Sequence, residues 1–530
     1  MRKFLLLGDE AIAQGALDAG ISGIYAYPGT PSTEIMEYIQ SSEYAALQNV
    51  HALWSANEKT AMEEALGMSY AGKRALVAMK HVGLNVAADP FMNAAITGVN
   101  GGLVVVAADD PSMHSSQNEQ DSRFYGKFAQ IPVFEPSTQQ EAYNMTRNAF
   151  DFSEKYRVPV LIRITTRLAH SRSQVETQPP LPQKPNRLPE DPLQFVLLPA
   201  LARQRYKRLL SLQSEFIKAS EHSPFNVALS NPVGTTGIIA CGTGWNYLNE
   251  CFPEGKYPGP VYKLSQYPMP VQCIQKLFEQ STIILVLEDG YPFVEEMLSG
   301  VFPYNKQIKG RLDGTIPRDG ELTPDIVASA LGFPAKESFT APSVVVPRPP
   351  SLCNGCSHAD LYLALDEVMQ EFGKGKVFSD IGCYTLGALT PYNAIYSCVD
   401  MGASITMAKG AADAGMFPSV CVIGDSTFTH SGMTGFLDAV LENSPITVII
   451  SDNSATAMTG GQKSHATNRL VEICKGLGVS PDHIVTLIPL KKNHEQNVQI
   501  LRQEVLFKGL SVVIFQRECI QTSARRHKKT

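Results

Sequence analysis

A set of short, wholly apolar runs recurring at helix-length intervals constrains this chain more than any other feature. Ala75-Leu76-Val77-Ala78-Met79, Leu103-Val104-Val105-Val106-Ala107 and Val158-Pro159-Val160-Leu161-Ile162 have no polar alternate face. Runs of that kind are strands buried on both sides, in parallel sheets covered by helices. The pattern returns at Gly237-Ile238-Ile239-Ala240 and Ile283-Ile284-Leu285-Val286-Leu287. It returns again at Val420-Cys421-Val422-Ile423, Ile446-Thr447-Val448-Ile449-Ile450 and Ser511-Val512-Val513-Ile514-Phe515. Two proline-rich stretches punctuate it, the first with Pro179, Pro180, Pro182, Pro185, Pro189 and Pro192, the second between Pro342 and Pro350. Composition that shifts in this way marks linkers. The expected fold class is therefore α/β, with three open, mostly parallel sheet domains in series at 1–172, 201–341 and 351–530, joined by 173–200 and 342–350.

Composition removes several function classes. With 44% hydrophobic and 18% charged residues, the chain has enough apolar surface to build large cores, which excludes a disordered or fibrous protein. A net charge of −6 provides no positive field for nucleic acid or an anionic membrane. Asp9 and Glu10 end the apolar run that starts at Phe4 well short of the roughly seven to fifteen residues of a secretory core. No stretch approaches the roughly eighteen apolar residues of a membrane span, so a cytoplasmic location is expected. Ten cysteines in 530 residues are too sparse for a disulfide scaffold, and what matters is which of them cluster.

The chemistry concentrates at two strand ends. Val422-Ile423-Gly424-Asp425-Ser426 and Val448-Ile449-Ile450-Ser451-Asp452-Asn453 are separated by one helical segment, which puts both carboxyl ends on the same edge of a parallel sheet, where ligands bind. Asp425 and Asn453 then converge. A carboxylate, an amide oxygen and a loop carbonyl suit a hard divalent cation such as Mg²⁺ that neutralises a diphosphate.

Gly424-Asp425 followed by Asn453 resembles the diphosphate-binding signature of thiamine diphosphate enzymes. The resemblance implies that Asp425, Asn453 and the Ala455 carbonyl hold the metal, with Gly424 and Ser426 beside the cofactor. The stretch Met458-Thr459-Gly460-Gly461-Gln462 resembles the region after the metal loop in 2-oxoacid:ferredoxin oxidoreductases, which adds Thr459 and Gly460 to the cofactor-binding set. Thiamine chemistry also needs a carboxylic acid on the aminopyrimidine ring. Glu58, opening the helical pattern 58–70, looks like that residue in the pyrimidine domain of the same oxidoreductases; by itself it would read as ordinary helix-dipole compensation.

Longer matches narrow the family. Tyr27-Pro28-Gly29-Thr30-Pro31-Ser32-Thr33-Glu34, Met79-Lys80-His81-Val82-Gly83-Leu84-Asn85, Glu288-Asp289-Gly290-Tyr291 and Gly424-Asp425-Ser426-Thr427-Phe428-Thr429-His430 look like the large subunit of indolepyruvate:ferredoxin oxidoreductase. The resemblance spans nearly the whole chain. It implies a pyrimidine-binding, a transketolase C-terminal-like and a diphosphate-binding domain. Thr30 matches the position that reaches the 2-oxoacid carboxylate or the nearby cofactor. His81, His114 and His430 sit in polar loops after strands, where an imidazole orients substrate or moves a proton, and His430 joins Glu58 and Thr30 as a catalytic candidate.

Cys353-Asn354-Gly355-Cys356 alone is compatible with redox, zinc or incidental cysteines. Together with Cys383 and Cys519 it matches the four cysteines that hold a [4Fe-4S] cluster in these oxidoreductases. Zinc on Cys353, Cys356 and His358 is the competing reading. The chain stops 11 residues after Cys519, where relatives continue into a ferredoxin-like segment, so electrons are expected to leave to ferredoxin or a separate ferredoxin-like subunit. The resemblance further implies a smaller β- or γ-type partner subunit in a hetero-oligomer. The activity it implies is oxidative decarboxylation of an aryl-2-oxoacid, with coenzyme A taking the acyl group. The alternatives are a thiamine-dependent decarboxylase that needs no cluster, and a non-catalytic assembly subunit.

Overall fold

The structure, a computed structural model, describes residues 2–229, 235–301, 306–334, 342–346 and 350–529. The second proline-rich stretch, 342–350, thus lies partly outside the described residues. The chain forms two compact units, Met1–Phe339 and Thr340–Thr530. No described helix is long and apolar enough to cross a membrane.

Unit 1 contains both of the sheets that the sequence placed in two domains. The larger has seven strands in the order Gln266–Tyr267, Val133–Phe134, Val160–Thr165, Leu103–Asp109, Ala75–Lys80, Gly23–Ala26 and His51–Trp54. All neighbours are parallel except Gln266–Tyr267, which runs antiparallel to Val133–Phe134. The apolar runs take the centre, where helices cover both faces, and Leu103, Val104, Val105 and Val106 are completely buried. Each such side chain contributes about 1.5–3 kcal/mol relative to exposure. The smaller sheet has the order Gln307–Lys309, Ile283–Leu287, Thr236–Cys241, Val261–Leu264 and Val227–Leu229, with only the last strand antiparallel.

Two features tie the parts of unit 1 together. The two-residue strand Gln266–Tyr267, from the middle region, extends the first sheet. The proline-rich stretch after 172 also lies along the unit. Its first residues form the strand Arg172–Glu176, paired with Lys3–Leu7, and farther on Leu181 N donates to Asp18 O and Arg187 N to Ala71 O.

A buried ionic network adds to this. Arg163 donates to Asp109 (2.7 Å), to Glu135 (2.6 Å) and to the Asp289 carbonyl (2.8 Å), while Arg123 pairs with Asp121 and with Glu288 (3.0 Å). All of these side chains are buried. Glu288 and Asp289 of the Glu288-Asp289-Gly290-Tyr291 stretch therefore have a structural role with Asp121, joining the two sheets of unit 1 at charged groups that burial would otherwise penalise.

Unit 2 has a sheet of five parallel strands in the order Val377–Ser379, Ser419–Gly424, Ile446–Asp452, Ser511–Gln516 and Ile484–Leu487, and a short antiparallel pair, Ala455–Thr456 with Gln462–Lys463. The helices Ser357–Met369, Ala403–Asp413, Met433–Leu441 and His494–Val505 flank it. Gly424 lies directly opposite Ser451 across the Ser419–Gly424/Ile446–Asp452 pair, so the loops beginning at Asp425 and Asn453 leave adjacent strand ends.

Candidate functional site

In unit 2 those two loops form a polar nest. Asp425 opens the short turn Asp425–Thr427 and is only 2% exposed. Its neighbour Gly424 has no room for a side chain, because a Cβ there would lie 2.5 Å from Tyr384 Cε1. The Ser464 hydroxyl bonds the Asp425 carboxylate, yet Oδ2 is buried without a hydrogen-bond partner. Burial, then the charge of Asp452, pushes the carboxyl up to about 7. An orphaned, buried carboxylate oxygen is what a bound cation satisfies, and these residues fit Mg²⁺.

Asn453 follows the strand Ile446–Asp452 directly and is 6% exposed. Its Oδ1 accepts from Ala455 N at 3.1 Å, and its Nδ2 lies 3.4 Å from His358 Nε2. His358 is fully buried, with Nδ1 at 2.6 Å from Ser451 Oγ, and desolvation pushes its pKa down to about 4. A neutral imidazole thus sets the Asn453 amide, leaving Oδ1 with a second lone pair for a metal. Ser426 Oγ lies 2.8 Å from Thr456 Oγ1, which ties the two loops together. Thr459 Oγ1 donates to Gln462 Oε1 at 2.7 Å, and the Gly460 carbonyl accepts from Arg525. His430 is buried in the π-helical turn Phe428–Gly432 that follows Asp425–Thr427, with Nδ1 at 2.5 Å from Ser431 Oγ.

Cys353, Cys356, Cys383 and Cys519 influence one another electrostatically in the same unit. Burial first, then the charges of Cys356, Cys519 and Cys353, push the Cys383 thiol up to about 12, and Cys356 is raised by burial and by Cys353 and Cys519. The backbone N–H of Cys519 donates to the Asn453 carbonyl at 3.0 Å, placing this cysteine beside the metal loop. Thiolates sharing one tetrahedral zinc stand about 3.8 Å apart, given Zn–S bonds of about 2.3 Å. Among the described residues, the only three or more His, Cys, Asp or Glu ligand atoms within 4.8 Å of one another belong to Asp9, Glu34 and His170. Cys353, Cys356 and His358 therefore do not meet around a single ion, and both His358 nitrogens face other groups. His358 thus faces Ser451 and Asn453 rather than the two cysteines. A cubane, whose four irons stand at separate corners, takes thiolates farther apart.

Unit 1 carries Glu58 and Thr30. Glu58 is the first residue of the helix Glu58–Tyr70, whose N-terminus is closed by Asn57: Oδ1 accepts from Thr60 N at 2.9 Å and the Asn57 N–H donates to Thr60 Oγ1. Glu58 is 5% exposed and packs on Gly83; a Cβ at that glycine would lie 2.6 Å from Glu58 Oε1. Thr30 stands half-buried in the turn after the strand Gly23–Ala26. The preceding Gly29 packs on Lys80, whose Nζ donates to Ser115 O at 2.7 Å and whose pKa burial pushes down to about 8. The segment 80–83 thus lines both Glu58 and the Thr30 turn. His81 lies 3.2 Å from Asn118 O, and burial lowers its pKa, whereas His114 pairs with Glu321 at 3.2 Å.

Sequence reasoning missed Gly83, His358 as the Asn453 partner, and Asp380. Burial pushes the Asp380 carboxyl up to about 6 against bonds from Ser404 Oγ, Tyr384 and the Gly402 N–H, and these bonds shape the loop leading to Cys383. Gly83 was visible only as a residue type inside a quoted motif and His358 only as a zinc candidate, while Asp380 carried no signal of its own.

Residues 14–195 match the pyruvate flavodoxin/ferredoxin oxidoreductase, thiamine diphosphate-binding family, and residues 380–486 match the C-terminal thiamine pyrophosphate-binding domain of thiamine pyrophosphate enzymes. The indolepyruvate oxidoreductase subunit IorA of Archaeoglobus fulgidus is 38% identical over 99% of this chain and 88% of its own length. That of Pyrococcus abyssi is 37% identical over 98% of this chain and 86% of its own. In fold, the chain is similar to 2-oxoglutarate:ferredoxin oxidoreductase from Magnetococcus marinus, solved with 2-oxoglutarate, coenzyme A and succinyl-CoA bound. The TM-score is 0.50 at 16% identity, over 58% of this chain and 62% of that one.

Proposed function

The chain belongs to the IorA subunits of indolepyruvate oxidoreductase, and from that premise we propose that it oxidatively decarboxylates aryl-2-oxoacids of the indolepyruvate kind to acyl-CoA and CO₂, with electrons passed to ferredoxin. When bound, thiamine diphosphate would supply a nucleophilic carbon and the electron sink for decarboxylation of a 2-oxoacid. The rest of the reading concerns the chain's own groups. Asp425, Asn453 and the Ala455 carbonyl hold Mg²⁺, and Gly424, Ser426, Thr459 and Gly460 border the diphosphate. Glu58, at a capped helix start, hydrogen-bonds the aminopyrimidine nitrogen. Thr30 orients the substrate carboxylate and His430 moves a proton. Cys353, Cys356, Cys383 and Cys519 hold a [4Fe-4S] cluster that accepts electrons one at a time. The chain works in a hetero-oligomer with a smaller β- or γ-type subunit and delivers electrons to ferredoxin or a ferredoxin-like subunit.

The observation that carries this reading is the buried, unpartnered Asp425 Oδ2 at a strand end adjacent to that of Asn453. The test is to purify the chain anaerobically with its partner subunit and measure iron, acid-labile sulfide and thiamine diphosphate. About four iron and four sulfide with one thiamine per chain supports it. Thiamine without iron favours the non-oxidative decarboxylase, and neither leaves only an assembly role.

A further inference from the structure

Unit 1 contains a second group of ligand-type side chains that the function above does not use. Asp9 lies in the first turn of the helix Gly8–Asp18, Glu34 in the first turn of Thr33–Ser41, and His170 ends Thr166–His170. One oxygen from each carboxylate and one imidazole nitrogen lie within 4.8 Å of one another. Glu34 Oε2 and His170 Nε2 are 3.5 Å apart.

Asp9 is the anomaly. Its side chain is completely buried, and neither Oδ1 nor Oδ2 has a hydrogen-bond partner. Glu34 and Glu10 stand near enough to add repulsion to the desolvation, and its pKa rises well above the ordinary carboxylate range. Glu10 is engaged elsewhere, accepting from Leu7 N at 2.8 Å and from Arg172 at 3.0 Å. Asp9 is thus a dry, unbonded carboxyl beside Glu34, and the contact with Glu34 raises the His170 pKa.

We propose that Asp9, Glu34 and His170 bind one divalent cation. Two carboxylates cancel its charge, and the mixed oxygen and imidazole donors suit a first-row ion such as Mn²⁺ or Zn²⁺ better than Mg²⁺. Glu34 and His170 are each about one-third exposed, so water completes the coordination. The ion fastens three helix ends beside the turn that carries Thr30. That turn is already coupled to the helix of Glu34, since Gly29 N donates to Thr33 Oγ1 at 3.2 Å and Ser32 Oγ to Gly29 O at 2.7 Å. The site is made of residues other than the diphosphate ligands and stands whether or not the thiamine reading does.

Mn²⁺ alone is the probe, because it avoids thiolates. The full-length Asp425→Asn chain, freed of thiamine and metals, removes the competing carboxylate. Equilibrium dialysis of this chain is expected to give one bound Mn²⁺, with a Tm rise of about 2 °C or more at saturation. Adding Asp9→Asn abolishes both effects, and adding Glu34→Gln, at a partly exposed position that folding tolerates, weakens binding at least about tenfold. Circular dichroism verifies folding, and Glu34→Gln decides alone if Asp9→Asn does not fold. An Asp425→Asn chain that binds no Mn²⁺, or binding that these substitutions leave unchanged, overturns the site in favour of a protonated, metal-free Asp9.

Discussion

The backbone N–H of Cys519 donates to the carbonyl of Asn453 at 3.0 Å. One hydrogen bond thus joins the last of the four clustered cysteines to the residue proposed to ligate the diphosphate metal. The bond uses main-chain atoms on both sides, so replacing either side chain leaves it in place.

This separates two functions that would otherwise fail together. Cys519→Ser keeps the N–H and is expected to retain thiamine diphosphate affinity within about twofold while losing most of the iron and sulfide. Iron analysis alongside calorimetric titration with Mg²⁺ and thiamine diphosphate checks it. Parallel loss of both would mean that the cluster holds the metal loop in shape.

Glu58 and Gly83 make a matched pair for testing thiamine activation. Glu58→Gln should slow exchange of the thiazolium C2 proton by about 10²–10⁴-fold, the usual contribution of a positioned acid or base. Gly83→Ala should slow it too with Glu58 intact, because the new methyl would lie 2.6 Å from Oε1 and must displace the carboxylate. Exchange followed by proton NMR reads both variants, and unaltered exchange in Gly83→Ala would show that Glu58 acts from some other position.

How much of this was legible in the sequence follows from the range of the interactions. Strands such as Leu103–Asp109 and Ile446–Asp452 announce themselves because burial on both faces demands unbroken apolar runs. The loops at Asp425 and Asn453 follow from strand ends and short spacing. The strand Gln266–Tyr267 has two residues and no periodicity, so nothing local assigns it to the first sheet. Arg163 sits inside an apolar run, and only the fold brings Asp109 and Glu135 to it. His358 follows Cys356 closely enough to look like a zinc ligand, yet the helix Ser357–Met369 directs it to Ser451 and Asn453. Asp9, Glu34 and His170 meet across three elements with no motif to connect them.

The Arg163 network gives a stability prediction. Arg163→Met leaves Asp109 and Glu135 buried without this partner and should destabilise unit 1 by about 3–5 kcal/mol, measured by urea denaturation. Adding Asp109→Asn should restore part of that loss, since the orphaned charge is removed with its partner. Strict additivity of the two substitutions would mean that the pair contributes no coupling.

His358 gives a pH prediction with a definite sign. In the unfolded chain its imidazole takes a proton near its ordinary value of 6.5, whereas in the fold desolvation holds it down to about 4. Above 6.5 both states are neutral and the residue imposes no pH dependence. As pH falls from 6.5 to 4 the unfolded state binds a proton that the folded state refuses, so stability drops across that window and levels off below it. The fall from 6.5 to about 4 corresponds to roughly 3 kcal/mol at most. Asp425 and Asp380, whose carboxyls burial pushes up to about 7 and about 6, take up protons in the fold over the same range and act in the opposite sense. The His358 contribution is therefore read as the difference in hydrogen-exchange protection of the strands Ser419–Gly424 and Ile446–Asp452 between the metal-free chain and its His358→Gln variant, after correction for intrinsic exchange rates. His358→Gln, which retains an acceptor for the Asn453 amide but does not titrate, should gain protection relative to the unsubstituted chain as pH falls through that window. Equal slopes in the two proteins would place the proton uptake on another group and remove the neutral imidazole as the feature that orients Asn453.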